Sequence, residues 1–66
     1  MTPLGQRLRE ARLRKGLTLQ EVAGALGYKY RTVVHSWEKG HRVPKLENRK
    51  RLAELYEVDI TEFLDD

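Results

Sequence analysis

The stretch from residue 16 to residue 40, GLTLQEVAGALGYKYRTVVHSWEKG, limits the fold of this chain more than any other. It reads as two short helices joined by a tight turn, over about residues 18–39. Thr18 can offer its hydroxyl oxygen to a free backbone N–H, and Glu21, three residues on, can reach back. Thr18-Leu19-Gln20-Glu21 therefore fits a capping box. Ala23 is small where two helices must approach closely. Gly27 stands where the first helix must stop and turn, a place where a positive φ costs glycine least. The second helix carries polar and basic residues on one side and Val34 and Trp37 on the other, and it ends at Gly40.

Further helices flank this unit. Thr2 can cap a helix from about Pro3 to Lys15, with Pro3 in the first turn, where its missing N–H is no loss. Leu4, Leu8 and Ala11 recur at i, i+4 and i+7 as one apolar stripe, and Gly16 ends the helix. The next helix is placed at about Leu19–Leu26, with Val22, Ala23 and Leu26 inward, and the third at about Arg31–Lys39. A basic loop follows, in which Pro44 breaks any continuation. A fourth helix is placed at about Leu46–Tyr56, with Leu46, Leu52, Ala53, Leu55 and Tyr56 as candidate core. Asp59-Ile60-Thr61-Glu62 fits a second capping box, opening a short acidic helix over about residues 59–66 with Ile60, Phe63 and Leu64 apolar. No segment reads as a strand, a repeat or a low-complexity tract. The expectation is one all-α domain over residues 1–66, built of five short helices.

Sixty-six residues bury a marginal core, so tight helix packing or dimerisation is expected to contribute. The absence of cysteine rules out a disulfide scaffold and a cysteine-ligated zinc site. His35 and His41 lack a carboxylate cluster, so no metal is expected, and no cofactor. No apolar run approaches the roughly 20 residues of a membrane span and no secretory signal is visible. A cytoplasmic protein with no membrane partner is expected. Charge is lopsided: residues 1–51 hold all thirteen Lys and Arg against four Glu, a net +9, whereas residues 52–66 hold six acids and no base. A basic body with an acidic tail suggests a polyanionic partner for the body.

Several pieces of the chain resemble the Cro/repressor-type (XRE-like) helix-turn-helix family. Arg12 followed by Lys15-Gly16-Leu17-Thr18, then Glu21-Val22-Ala23, matches the start and body of its second helix. Trp37-Glu38-Lys39-Gly40 matches the close of its third, and Val43-Pro44-Lys45-Leu46-Glu47 with Leu52-Ala53-Glu54-Leu55 matches its fourth. No single piece is specific, but their order and spacing cover nearly the whole chain. The resemblance implies a compact five-helix lambda-repressor-like domain whose third helix enters the DNA major groove.

The segment from Gly27 to Gly40 is one residue longer than the usual family pattern. Aligned from the glycine end, Val34 and Trp37 face the core and the extra residue falls within Tyr28-Lys29-Tyr30. Aligned from the front, Val33 is the core residue instead. The first register keeps Trp37-Glu38 in the family's position and is preferred. It makes Tyr30, Arg31, Thr32, His35 and Ser36 the candidate base contacts. Arg31 can donate twice to guanine, and the hydroxyls of Thr32 and Ser36 can bond a base edge. Thr18 and Gln20, at the start of the second helix, with Lys29, Lys39, His41 and Arg42, are the candidate phosphate contacts. Leu19 stands where the family often has Gln, so that polar contact is expected to be missing.

Other polar residues read as structural. Arg12 and Glu38 resemble the family's internal ion pair, and Arg49, Lys50 and Arg51 read as a solvated face of the fourth helix, with a second phosphate contact as the alternative. There is no nucleophile–base constellation, phosphate loop or metal cluster, so no enzyme is expected. The leading expectation is a sequence-specific transcriptional regulator, a repressor binding double-stranded DNA at a palindromic operator as a homodimer. It would be bacterial or phage-encoded and nucleoid-associated when bound. Tyr56, Val58, Ile60, Phe63 and Leu64 form the candidate dimer surface, unless they fold back into the core. The alternative is an antitoxin-like or accessory module with a protein partner, whose acidic tail engages a basic surface. No pocket for a small-molecule effector is evident.

Overall fold

Local capping signals set most of the helix ends in the computed structural model, which describes residues 2–65. Helix α1 (Pro3–Lys15) opens at Thr2, whose hydroxyl accepts from the Gly5 N–H at 3.0 Å, and closes at Gly16 with φ 77°. Helix α2 (Leu19–Ala25) has both halves of its capping box: the Glu21 N–H donates to Thr18 Oγ1 at 3.0 Å and the Thr18 N–H to Glu21 Oε1 at 2.8 Å. It ends one residue early, at Ala25, with Leu26 as its C-cap, and Gly27 turns the chain with φ 87°. Helix α3 (Thr32–Lys39) starts one residue late, with Arg31 as an N-cap that makes no side-chain capping bond. Helix α4 (Leu46–Tyr56) closes at Glu57, whose carboxylate pairs with Lys15 on α1.

The expected fifth α-helix is instead one turn of 3-10 helix, Ile60–Phe63. The second capping box does not form. Asp59 Oδ1 accepts from the Thr61 N–H at 2.9 Å and from the Thr61 hydroxyl at 2.7 Å, an Asx turn that tightens the chain before an α-helix can start. These two bonds hold the Asp59 carboxyl below the usual carboxylate range. Residue 66, the expected end of that helix, lies outside the described residues.

One apolar core joins Leu4, Leu8 and Ala11 of α1 to Val22, Ala23 and Leu26, to Val34 and Trp37, and to Leu52, Ala53, Tyr56 and Phe63. Leu46 and Arg49 differ from the sequence reading, and of the two places it left open for Tyr56 and Phe63 the fold takes the core. Leu46 is 52% exposed, because the first residue of α4 sits at its outer end, ahead of the buried stripe. Tyr56 and Phe63, candidates for the dimer surface, are buried and meet edge to face with ring centroids 6.2 Å apart. The Tyr56 hydroxyl lies buried with no hydrogen-bond partner among the described residues. Arg49 is no solvated residue either. Its Nε donates to the Pro44 carbonyl at 2.8 Å, and its Nη1 to those of Phe63 at 3.1 Å and Leu64 at 3.2 Å. It thereby ties the loop after α3 to the C-terminal turn.

Two helices approach closely at Gly5. A Cβ there would stand 2.4 Å from the Glu38 carbonyl oxygen and 2.9 Å from that of Trp37, so α1 rests directly on the backbone of α3. Glycine to alanine inside a helix ordinarily gains up to about 1 kcal/mol. Gly24, with nothing within 4 Å of an added Cβ, is expected to show that gain. Gly5→Ala is expected to lose about 1–3 kcal/mol, because backbone cannot swing aside as a flexible side chain can. Urea unfolding of the two variants checks the opposite signs, and a stabilised Gly5→Ala would mean that α1 and α3 pack less closely.

Candidate nucleic-acid interface

Helix α3 forms a ridge on the surface. Val34, Trp37 and Glu38 point inward and are buried, and Val33 is half-buried, which settles the register as the one counted from Gly40. At about 100° per residue, Thr32 then lies along the crest, Val33 and Ser36 fall on one flank, and His35 and Lys39 fall on the other. Arg31 is exposed at the helix tip.

On the first flank an indentation of about 530 Å³ opens between α3 and the turn Tyr28-Lys29-Tyr30, with His41 and Arg42 at its other side. Tyr28 is pinned there: its ring meets Trp37 edge to face at 6.0 Å, and its hydroxyl accepts from Asn48 Nδ2 at 3.1 Å. Tyr30 is 66% exposed, with the Lys29 ammonium 5.6 Å from its ring centroid. The Ser36 hydroxyl donates to the Val33 carbonyl at 2.7 Å, so its proton is used within the helix and its oxygen remains an acceptor. On the second flank, Arg9, Arg12, Leu19, His35, Glu38 and Lys39 line a smaller indentation. Lys39, which sequence groups with His41 and Arg42, thus lines a different hollow, because the chain reverses at Gly40 between them.

At the start of α2, part of the expected phosphate-binding set is engaged within the fold. The Thr18 N–H is already given to the Glu21 carboxylate, and the Thr18 hydroxyl already accepts from the backbone, which leaves only its proton for a phosphate. The Gln20 amide donates to the Lys29 carbonyl at 3.4 Å and so braces the turn. Behind the ridge, Arg12 gives two N–H groups to the Glu38 carboxylate, at 2.7 and 3.1 Å, and a third to the Leu17 carbonyl at 2.9 Å. That carboxylate bond outweighs burial and raises the guanidinium pKa above its ordinary value.

Among the described residues the ion pairs join Arg12 to Glu38 and Lys15 to Glu57. Arg9, Arg31, Lys39 and Arg42 therefore present charge that no carboxylate pairs with. Sequence reasoning missed Arg9. Its signal was available, since Arg9 and Arg12 are i, i+3 neighbours and Arg12 was already placed against the end of α3. Among the described residues no three His, Cys, Asp or Glu gather as a metal site, and no helix is long and apolar enough to cross a membrane.

A helix-turn-helix domain family profile matches residues 3–64. The cryptic phage CTXphi transcriptional repressor RstR of Vibrio cholerae is 37% identical over 60 residues, which cover 91% of this chain and 53% of that protein. The chain thus spans about half the length of the curated relative it matches. The crystal structure of the restriction-modification controller protein C.AhdI from Aeromonas hydrophila matches with a TM-score of 0.82 at 35% identity, covering 94% of this chain and 92% of that one. The two relatives are a transcriptional repressor and a controller protein, neither of them an enzyme.

Proposed function

Because the chain belongs to the helix-turn-helix domain family, of the Cro/repressor type, we propose that it is a sequence-specific transcriptional regulator that represses by binding a palindromic operator as a homodimer. The observation that carries this reading is the α3 ridge, polar along its crest and flanked on both sides by unneutralised cations. A major groove about 12 Å wide admits such a helix, and cations at its two edges meet the two phosphate backbones. Thr32, Arg31, Ser36 and Tyr30 are the base-reading residues, with His35 lower on one flank. Lys29, His41 and Arg42 take one backbone and Lys39 the other.

One such ridge reads a few base pairs, so two copies on half-sites about one helical turn apart supply the specificity. With Tyr56 and Phe63 committed to the core, Val58, Ile60 and Leu64 remain for the contact between copies. The protein works in the cytoplasm, on the nucleoid.

Selection of duplexes from a random library at one near-physiological salt tests the reading. An enriched inverted repeat supports it, and a strictly monomeric chain on a specific site overturns the dimer. Arg31→Ala is expected to weaken the selected site by about 1–3 kcal/mol and relax one base position. Lys39→Ala is expected to weaken all duplexes alike and lower the salt slope by up to about 0.9. Identical behaviour of the two variants in titrations against selected and scrambled duplexes would remove Arg31 from the base-reading set.

A further inference from the structure

The structure assigns a backbone-phosphate site to the second flank of the ridge, where Arg9 of α1 and Lys39 of α3 grip one phosphodiester of the bound DNA. This inference rests on the DNA-binding reading and extends the interface beyond the helix-turn-helix to the first helix.

Four cationic or potentially cationic side chains, Arg9, Arg12, His35 and Lys39, converge on one indentation of about 280 Å³. Arg12 is occupied: its N–H groups go to Glu38 and to the Leu17 carbonyl, and the Glu38 carboxylate cancels its charge. Arg9 and Lys39 are different. Both are exposed, and neither makes an ion pair or a side-chain hydrogen bond among the described residues. The hollow thus carries two free positive charges, and Leu19 on its wall offers no polar group to satisfy them. The arrangement follows from the packing. Gly5 lets α1 lie on the backbone of α3, and Arg9, one turn along α1, is carried to the same side as Lys39. A guanidinium with planar paired donors beside a mobile ammonium suits the two free oxygens of a phosphodiester. The first flank already presents Lys29 and Arg42, so Arg9 and Lys39 balance the charge across the ridge.

Equilibrium binding of a short mixed-sequence duplex, measured against sodium chloride concentration, tests the site in the full chain. Arg9→Gln is expected to lower the slope of log K against log salt measurably but by less than about 0.9, the value of one whole phosphate, because Lys39 stays on that phosphate. Arg9→Lys is expected to keep the wild-type slope, because a point charge suffices there. Arg14→Gln removes the same charge from α1 at a position lining other hollows, beside Glu10 and Glu57, and is expected to leave the slope unchanged. Wild-type binding with an unchanged slope in Arg9→Gln overturns the inference alone. So does an equal drop in Arg9→Gln and Arg14→Gln, which would reflect net charge and not a contact. No binding by the wild-type chain at low salt overturns the DNA-binding reading, and this site with it.

Discussion

Glu38→Gln is expected to cost about 3–5 kcal/mol, enough to unfold a large share of a domain this small at room temperature. Glu38 is 2% exposed, and its two carboxylate oxygens take two N–H groups from an Arg12 that is itself buried. Glutamine keeps the volume but removes the charge, and the guanidinium is left uncompensated between α1 and α3. Most of the loss is therefore the burial of an orphaned cation and not the value of the bridge. A paired replacement, Arg12→Met with Glu38→Leu, is expected to recover most of it, since apolar residues of similar volume often match or exceed a buried ion pair. Urea unfolding of wild type, Glu38→Gln, Arg12→Met, Glu38→Leu and the double variant measures the loss and closes the cycle. A single-variant loss below about 1 kcal/mol, the range of exposed pairs, would show that water reaches the bridge.

Phe63→Ala is expected to cost a comparable 3–5 kcal/mol, although it sits three residues from the end of the chain. Its ring is fully buried and stands perpendicular to that of Tyr56. Its carbonyl is one of the two C-terminal oxygens held by Arg49, so loss of the ring also loosens that tie. Leu64, the next residue, is 46% exposed, and Leu64→Ala is expected to change the stability of a lone subunit by less than about 0.5 kcal/mol. Thermal melts over a range of protein concentration separate the two positions. Phe63→Ala lowers the midpoint at every concentration, whereas an effect at Leu64 that grows with concentration would place that residue between subunits. A mild Phe63→Ala would mean that the C-terminal turn is dispensable to the core.

The elements that were legible in the sequence are those whose ends are fixed by neighbours in the chain. Thr2 with Pro3, Thr18 with Glu21, and the left-handed glycines at 16 and 40 act within a turn, so α1, the start of α2 and the end of α3 fall where the pattern puts them. Asp59 shows the limit. An Asx turn and a capping box begin with the same letters, and the choice between them goes with the seating of Phe63 under Tyr56. Gly5 and Arg49 were missed for the same reason, since one is defined by the backbone of α3 and the other by carbonyls up to fifteen residues away. Of the interface, the ridge residues were readable from the Val34–Trp37 spacing. The division of cations between two flanks was not, because Arg9 reaches its flank only through the crossing of α1 over α3.

The buried side chains that anchor α3, Val34, Trp37 and Glu38, are on its inward side, while the side chains of Arg31, Thr32 and His35 are exposed and make no hydrogen bond or ion pair among the described residues. Mutation can therefore rewrite the outward letters of this helix one at a time, with each intermediate still folded. Related proteins on this scaffold can diverge in the sequence they recognise faster than in the scaffold itself, and a duplicated gene can acquire a separate target without first becoming inactive.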